Sequence, residues 1–245
     1  MSHRTRLWLL AALLAGGCTC EEPRTGVPTY RAPKAAQAPV IDGRLDEPAW
    51  QRAPQTEAFV QTMTGDPGEP ATRARLTWDD DALYVAFEVE DDYLHAELTG
   101  HDPHLWTEDT VEIMVDPDGD GSNYFELQLA PNDQVFDTRY DARRVPRPFG
   151  HTGWDSHMRG AVSVEGTLDD EEPDGGYVAE MAIPWSAFEA GPSPADRPEP
   201  GQTWRVALYV LDYRPQGQRG VGWSAPLVGD FHVPERFGRV IFEER

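Results

Sequence analysis

Ala82-Leu83-Tyr84-Val85-Ala86-Phe87-Glu88-Val89-Glu90 decides the fold class of this chain. Leu83, Val85, Phe87 and Val89 fall at every second position, the period of a β-strand with a single buried side. The same alternation returns in Val111, Ile113 and Val115; in Phe125, Leu127 and Leu129; in Tyr177, Ala179, Met181 and Ile183; and in Trp204, Val206, Leu208 and Val210. Weaker strand patterns lie at Thr56 to Gln61, Ala74 to Trp78, Val135 to Tyr140, Gly160 to Glu165 and Gly238 to Glu243. Pro184-Trp185-Ser186-Ala187-Phe188 reads as a short turn opened by proline, and little other helix is expected. The set predicts an all-β chain of two packed antiparallel sheets, a β-sandwich. Arg144 to Gly153 and Gly191 to Gln202 are Pro/Gly-rich surface loops, and no linker divides the strands, so residues 39–245 read as one domain.

The N-terminal segment has a different composition. Residues 1–17 hold Arg4 and Arg6, the apolar run Leu7 to Leu14, then Ala15-Gly16-Gly17 before Cys18. That order is an export signal, too short to serve as a spanning anchor. A cysteine after small residues is similar to the lipobox of bacterial lipoproteins, which makes Cys18 the expected site of lipidation. Residues 18–38 contain Pro23, Pro28 and Pro33 with few large apolar residues, and read as an extended tether between membrane and domain. Cys18 and Cys20 are the two cysteines of the chain, so the domain is expected to stand on its core without disulfides.

Charge narrows the possible partners. With 43 acidic against 21 basic residues the formal net charge is -22, which argues against nucleic acid and against anionic lipid, and leaves neutral ligands and cations. No phosphate-binding glycine loop or dinucleotide fingerprint occurs. Neither does a nucleophile elbow or a helical zinc motif; the seven histidines include no close ligand pair of that kind.

Val40-Ile41-Asp42-Gly43-Arg44-Leu45-Asp46-Glu47-Pro48-Ala49-Trp50 joins an apolar pair to a turn and an aromatic anchor. With Leu83-Tyr84-Val85 and Asp91, Trp106 and Asp109, Val111-Glu112-Ile113, Glu180 with Ile183-Pro184-Trp185, and Phe237-Gly238, this ordered set resembles the family 9 carbohydrate-binding modules. The resemblance implies a sandwich of immunoglobulin-like or jelly-roll type, structural calcium, and a sugar held between two aromatic side chains. It implies Trp106 and Phe231 as those platforms and Glu112 as an acceptor of sugar hydroxyls. Alternation turns Glu112 away from the core that Val111 and Ile113 fill. Where sugar-binding members carry an arginine and, two positions on, an asparagine, this chain has Gln128 and Ala130, so Gln128 is the remaining polar candidate, with Arg205 or Trp223 as possible compensation. Phe231 stands in the place of the second platform, ahead of Pro234 and Phe237.

Asp116, Asp118 and Asp120, interleaved with Gly119 and Gly121, have the alternating carboxylate spacing of a calcium loop, although Asp-Gly is also hairpin-turn chemistry. Leu127 and Gln128 stand where the twelfth position of an EF-hand needs a glutamate, which excludes that site. Asp79-Asp80-Asp81 and Asp91-Asp92 read as solvated acidic turns. Glu180 is expected to pair with Arg205 on a sheet face, and no acid pair stands out for glycoside hydrolysis, so the chain is read as non-enzymatic. The leading expectation is a monomeric, exported lipoprotein of the cell envelope that binds a saccharide. Two alternatives stand beside it: a haem b electron-transfer domain with Met114 or His101 as axial ligand, and an envelope interaction domain without a small ligand.

Overall fold

The computed structural model describes residues 22–244. Twelve strands run through them: β1 (Thr29–Pro33), β2 (Val60–Gln61), β3 (Ala71–Trp78), β4 (Ala82–Glu90), β5 (Thr110–Asp116), β6 (Ser122–Leu129), β7 (Val135–Ala142), β8 (Arg159–Glu165), β9 (Gly176–Pro184), β10 (Thr203–Asp212), β11 (Arg219–Gly222) and β12 (Gly238–Glu243). One sheet has the order β1-β12-β10-β5-β6-β7, with β11 on β10 and β2 on β11; the other is β3-β4-β9-β8. The β-sandwich expected from the alternating pattern is therefore the fold, with β1 and β12 as a parallel pair in otherwise antiparallel sheets. Among the described residues no helix is long and apolar enough to cross a membrane.

The core lies between the sheets, where the alternating residues meet. Val111, Ile113, Val115, Phe125, Leu127 and Leu129 from one sheet face Leu83, Val85, Phe87, Ala179, Met181 and Ile183 from the other. An aromatic cluster closes one part of it. Trp185, in the short 3-10 turn Trp185–Glu189, meets Trp78 edge-on at 6.4 Å and Trp204 at 5.7 Å, and Trp204 meets Phe242 at 5.3 Å. Such edge-to-face pairs set positive ring edges on negative ring faces and add to the area they bury.

β4 is covered on both sides rather than one. Tyr84 and Ala86 are buried beneath Trp50 and Ala53, with Ile41 and Leu45 packed at the margin. Trp50 sits in the short helix α1 (Pro48–Arg52), whose first position is the proline favoured there. Glu180, wholly buried on β9, holds this cover in place. One carboxylate oxygen accepts the backbone N–H groups of Asp42, Gly43 and Arg44 at 3.0, 2.6 and 3.1 Å, and the other accepts Trp50 Nε1–H at 2.6 Å. Gly43 has φ +82°, and a Cβ there would lie 2.7 Å from the backbone nitrogen of Ser163, so the turn demands glycine. Glu180 consequently does not pair with Arg205. β9 and β10 belong to different sheets, and Arg205 donates instead to the carbonyls of Pro234 and Glu235.

Residues 29–33, expected to be part of an extended tether over 18–38, instead form β1. Tyr30 and Ala32 alternate as buried residues of β1, and the Tyr30 hydroxyl donates to the carbonyl of Pro54 at 2.6 Å. Proline at the end of β1 is tolerated because β1 is an edge strand with one neighbour. Cys18 and residues 1–17 lie outside the described residues.

Candidate functional site

Glu112 and Gln128 are cross-strand partners on β5 and β6, and Glu126 lies two residues before Gln128 on the same face. Pleating puts all three on the outer face of the larger sheet while Val111, Ile113 and Leu127 fill the core. Loops rise around that face and leave a cavity of about 220 Å³. Trp106, Glu112, Gln128 and Phe231 all line it, so the four expected ligand residues come together from three separate parts of the chain. Glu126, Tyr140, Arg144, Asp230 and His232 line it as well.

The two rings are half-exposed and braced from behind. Trp106 belongs to a 3-10 turn (Leu105–Thr107), stacks on His104 at 4.4 Å and 24°, and meets Phe136 edge-on at 5.1 Å. Phe231 stacks on Tyr209 of β10 at 4.4 Å and 27°. Gly220 leaves room for Phe231, whose ring carbon would be 3.1 Å from a Cβ at that position.

The floor is acidic and buried. The Gln128 Nε2 group donates to Glu112 Oε2 at 2.7 Å and to Glu126 Oε1 at 2.8 Å. Burial first, then the charge of Glu126, raises the Glu112 carboxyl well above its ordinary value. Burial likewise pushes Glu126 up to about 7, against the hydrogen bonds and the Arg144 charge that lower it. The remaining oxygens Glu112 Oε1, Glu126 Oε2 and Gln128 Oε1 have no hydrogen-bond partner.

Arg144 supplies the guanidinium of the site. It enters from the β7–β8 loop with φ +53°, and its backbone N–H donates to the Tyr124 hydroxyl at 3.0 Å. Its Nε and Nη2 groups both donate to Asp230 Oδ1, at 2.9 and 2.7 Å, while Arg143 donates to Asp230 Oδ2 at 2.9 Å. These bonds outweigh burial and bring Asp230 down to about 2. His232 shares a 2.8 Å hydrogen bond with the Tyr124 hydroxyl through Nδ1, and burial together with the nearby arginines lowers it to about 3, so it is neutral at physiological pH. Neither expected compensating residue reaches the cavity. Arg205 is bound to the 234–235 turn, and Trp223 is buried under β1, edge-on to Tyr30 at 6.3 Å.

Met114 is buried among Tyr124, Tyr140, Tyr209 and Phe237. His101 stands exposed beside Asp102, away from the cavity. The two haem candidates are thus not brought together, and the cavity is below the ~300–1,000 Å³ typical of sites for drug-sized molecules.

Asp116, Asp118 and Asp120 lie on the β5–β6 turn, with ligand oxygens within 4.8 Å of one another. Asp116 is buried and accepts the N–H groups of Gly119 and Gly121 at 2.9 and 3.0 Å, and burial raises its carboxyl to about 6. A set of carboxylate oxygens held this close suits a hard cation such as calcium. Asp91, read above as solvated, is instead buried with Asp109 and Asp212. Arg214 reaches into that group, 2.5 Å from Asp91, 2.6 Å from Asp92 and 2.8 Å from Asp212. The alternation of β10 ends at Asp212, so this arginine lay beyond any strand pattern.

The two sheets and the ring-lined acidic hollow on the outer face of one of them define a β-sandwich binding module. The chain belongs to the carbohydrate family 9 binding domain-like family, whose model matches residues 41–245. It is 27% identical over 204 residues to endo-1,4-beta-xylanase A of Thermotoga maritima; the match covers 82% of this chain and 17% of the xylanase. Among solved structures it is similar to a family 9 module of Caldicellulosiruptor kristjanssonii in complex with cellotriose, at TM-score 0.59 and 20% identity over 89% of this chain and 94% of that one. The glucose complex of a family 9 module from the same organism superposes at TM-score 0.57 and 19% identity, over 88% of this chain and 97% of that chain.

Proposed function

We propose that this chain binds a saccharide, without catalysis, in the cavity on the outer face of its larger sheet. One observation carries the reading: Trp106, Glu112, Gln128 and Phe231, far apart in sequence, line the same small cavity. Trp106 and Phe231 offer flat apolar faces to the C–H faces of a sugar ring, and the polar floor takes its hydroxyls. The solved complexes with cellotriose and glucose support the ligand class. Binding without hydrolysis fits the acids present, because Glu112 and Glu126 share one amide nitrogen and lie side by side rather than across a cleft. Isothermal titration with a panel of gluco- and xylo-oligosaccharides tests the proposal; a chain that binds none of them, or a Trp106→Ala variant that binds as well as the parent, sinks it.

The same reading places the module in the cell envelope as a monomer, exported and lipidated at Cys18, with calcium on Asp116, Asp118 and Asp120. The sequence of residues 1–18 supports the first, and the closeness of the three carboxylates the second. Metabolic labelling with a fatty-acid probe, lost in Cys18→Ser, tests the anchor.

A further inference from the structure

We infer that the saccharide taken by this site carries a free amine, its ammonium held by Glu112, Glu126 and Gln128. The inference rests on the saccharide reading and names the class of sugar. Three buried acceptor oxygens, Glu112 Oε1, Glu126 Oε2 and Gln128 Oε1, converge from adjacent strands with no donor. Buried acceptors without partners are rare, because each forfeits its hydrogen bond to water. An ammonium has three N–H donors on one atom and a positive charge, which answers both the acceptor count and the acidity of the floor.

The protein's own donors do not fill this role. Gln128 has already spent its amide nitrogen on the other two carboxylate oxygens. The guanidinium of Arg144 is committed to Asp230. His232 Nε2 stops 3.6 Å from Glu126 Oε2, outside hydrogen-bond distance, and the Tyr140 hydroxyl, which interacts with Glu126, leaves Glu112 Oε1 and Gln128 Oε1 without a donor. Arg143 and Arg144 balance Asp230, which leaves Glu112 and Glu126, two acids whose ionised forms burial disfavours. A neutral sugar could donate hydroxyls here, but a cation beside them would also favour their ionised forms, and an acidic sugar would oppose them.

Titration calorimetry on the parent chain with glucosamine trimer, N-acetylglucosamine trimer, cellotriose and the diamine putrescine tests this at low and high salt. The expected result is that glucosamine trimer binds at least about tenfold more tightly than the other three, and that the advantage shrinks in high salt. Glu126→Gln, matched in shape, should shrink the glucosamine-to-cellotriose affinity ratio and its salt dependence, while circular dichroism shows the fold retained. Cellotriose or the acetylated trimer binding as tightly as glucosamine trimer overturns the amine and leaves saccharide binding standing. Putrescine matching glucosamine trimer overturns the sugar as the source of the amine. Binding of no oligosaccharide overturns this inference together with the function it rests on.

Discussion

Glu112 and Gln128 face one another across the β5–β6 ladder, joined by a 2.7 Å hydrogen bond whose nitrogen also serves Glu126. One neutral amide therefore holds two buried acids in register for a ligand. Gln128→Leu removes that amide while keeping comparable bulk. We expect saccharide affinity to fall by at least about tenfold, equal to ~1.4 kcal/mol, with circular dichroism unchanged, as read by calorimetry.

Trp106 offers its ring to the cavity from a turn braced by His104 and Phe136. Truncation to alanine should weaken saccharide binding by about tenfold or more while costing little stability, since the ring is half-exposed. Affinity electrophoresis on a polysaccharide gel checks the first outcome and thermal melting the second.

Glu180 illustrates how much of the molecule was legible in its residues. The ordered motif from Ile41 to Trp50 together with Glu180 marked the family, yet alternation alone suggested a surface ion pair with Arg205. Period-two patterning reports which side of a strand a residue occupies, not what lies over that side, and here the Ile41–Trp50 segment covers it. The strands from Ala82 onward were readable for the same reason that they are stable, because each buries an alternating apolar row. β1 was not, because Tyr30 and Ala32 are its only buried residues among prolines. Trp106, Glu112 and Phe231 were marked by the family resemblance. Arg144, Asp230 and His232 were not, since they converge through loops and through a left-handed residue at position 144.

Replacing Glu180 with alanine leaves four N–H donors without their shared acceptor under a packed cover. Loss of about 3 kcal/mol or more in unfolding free energy is expected. Trp50→Phe, which deletes one of the four bonds and keeps a ring, should cost about 1–2 kcal/mol. Urea titration distinguishes the two.

Stability should fall as pH rises from 6.5 to 8. Burial raises Glu126 from 4.5 to about 7 and Asp109 from 3.8 to about 8, so across that window the folded chain binds more protons than the unfolded one. Raising the pH through it therefore favours unfolding. His232 acts in the opposite sense, lowered from 6.5 to about 3, and its opposing slope dies away above pH 6.5 as the unfolded imidazole loses its remaining proton. Melting temperatures at the two ends of the range check the sign, and a flat or rising profile contradicts it.

Chelation gives a separate check on the Asp116 turn. If calcium sits on Asp116, Asp118 and Asp120, EDTA lowers the melting temperature by several degrees and added calcium restores it. Asp118→Asn with Asp120→Asn should abolish that response.

The parallel pairing of β1 with β12 sets how the domain carries mechanical load. Five residue pairs, from Thr29 with Arg239 to Pro33 with Glu243, run alongside each other in the same direction. A load applied along β1 meets these ladder bonds together, in shear, instead of unzipping them one after another, and Arg24 adds a fastening upstream through its bonds to Gly65 and Trp223. The hollow lies on the same sheet as this pair, so resistance to shear there also protects the shape of the cavity.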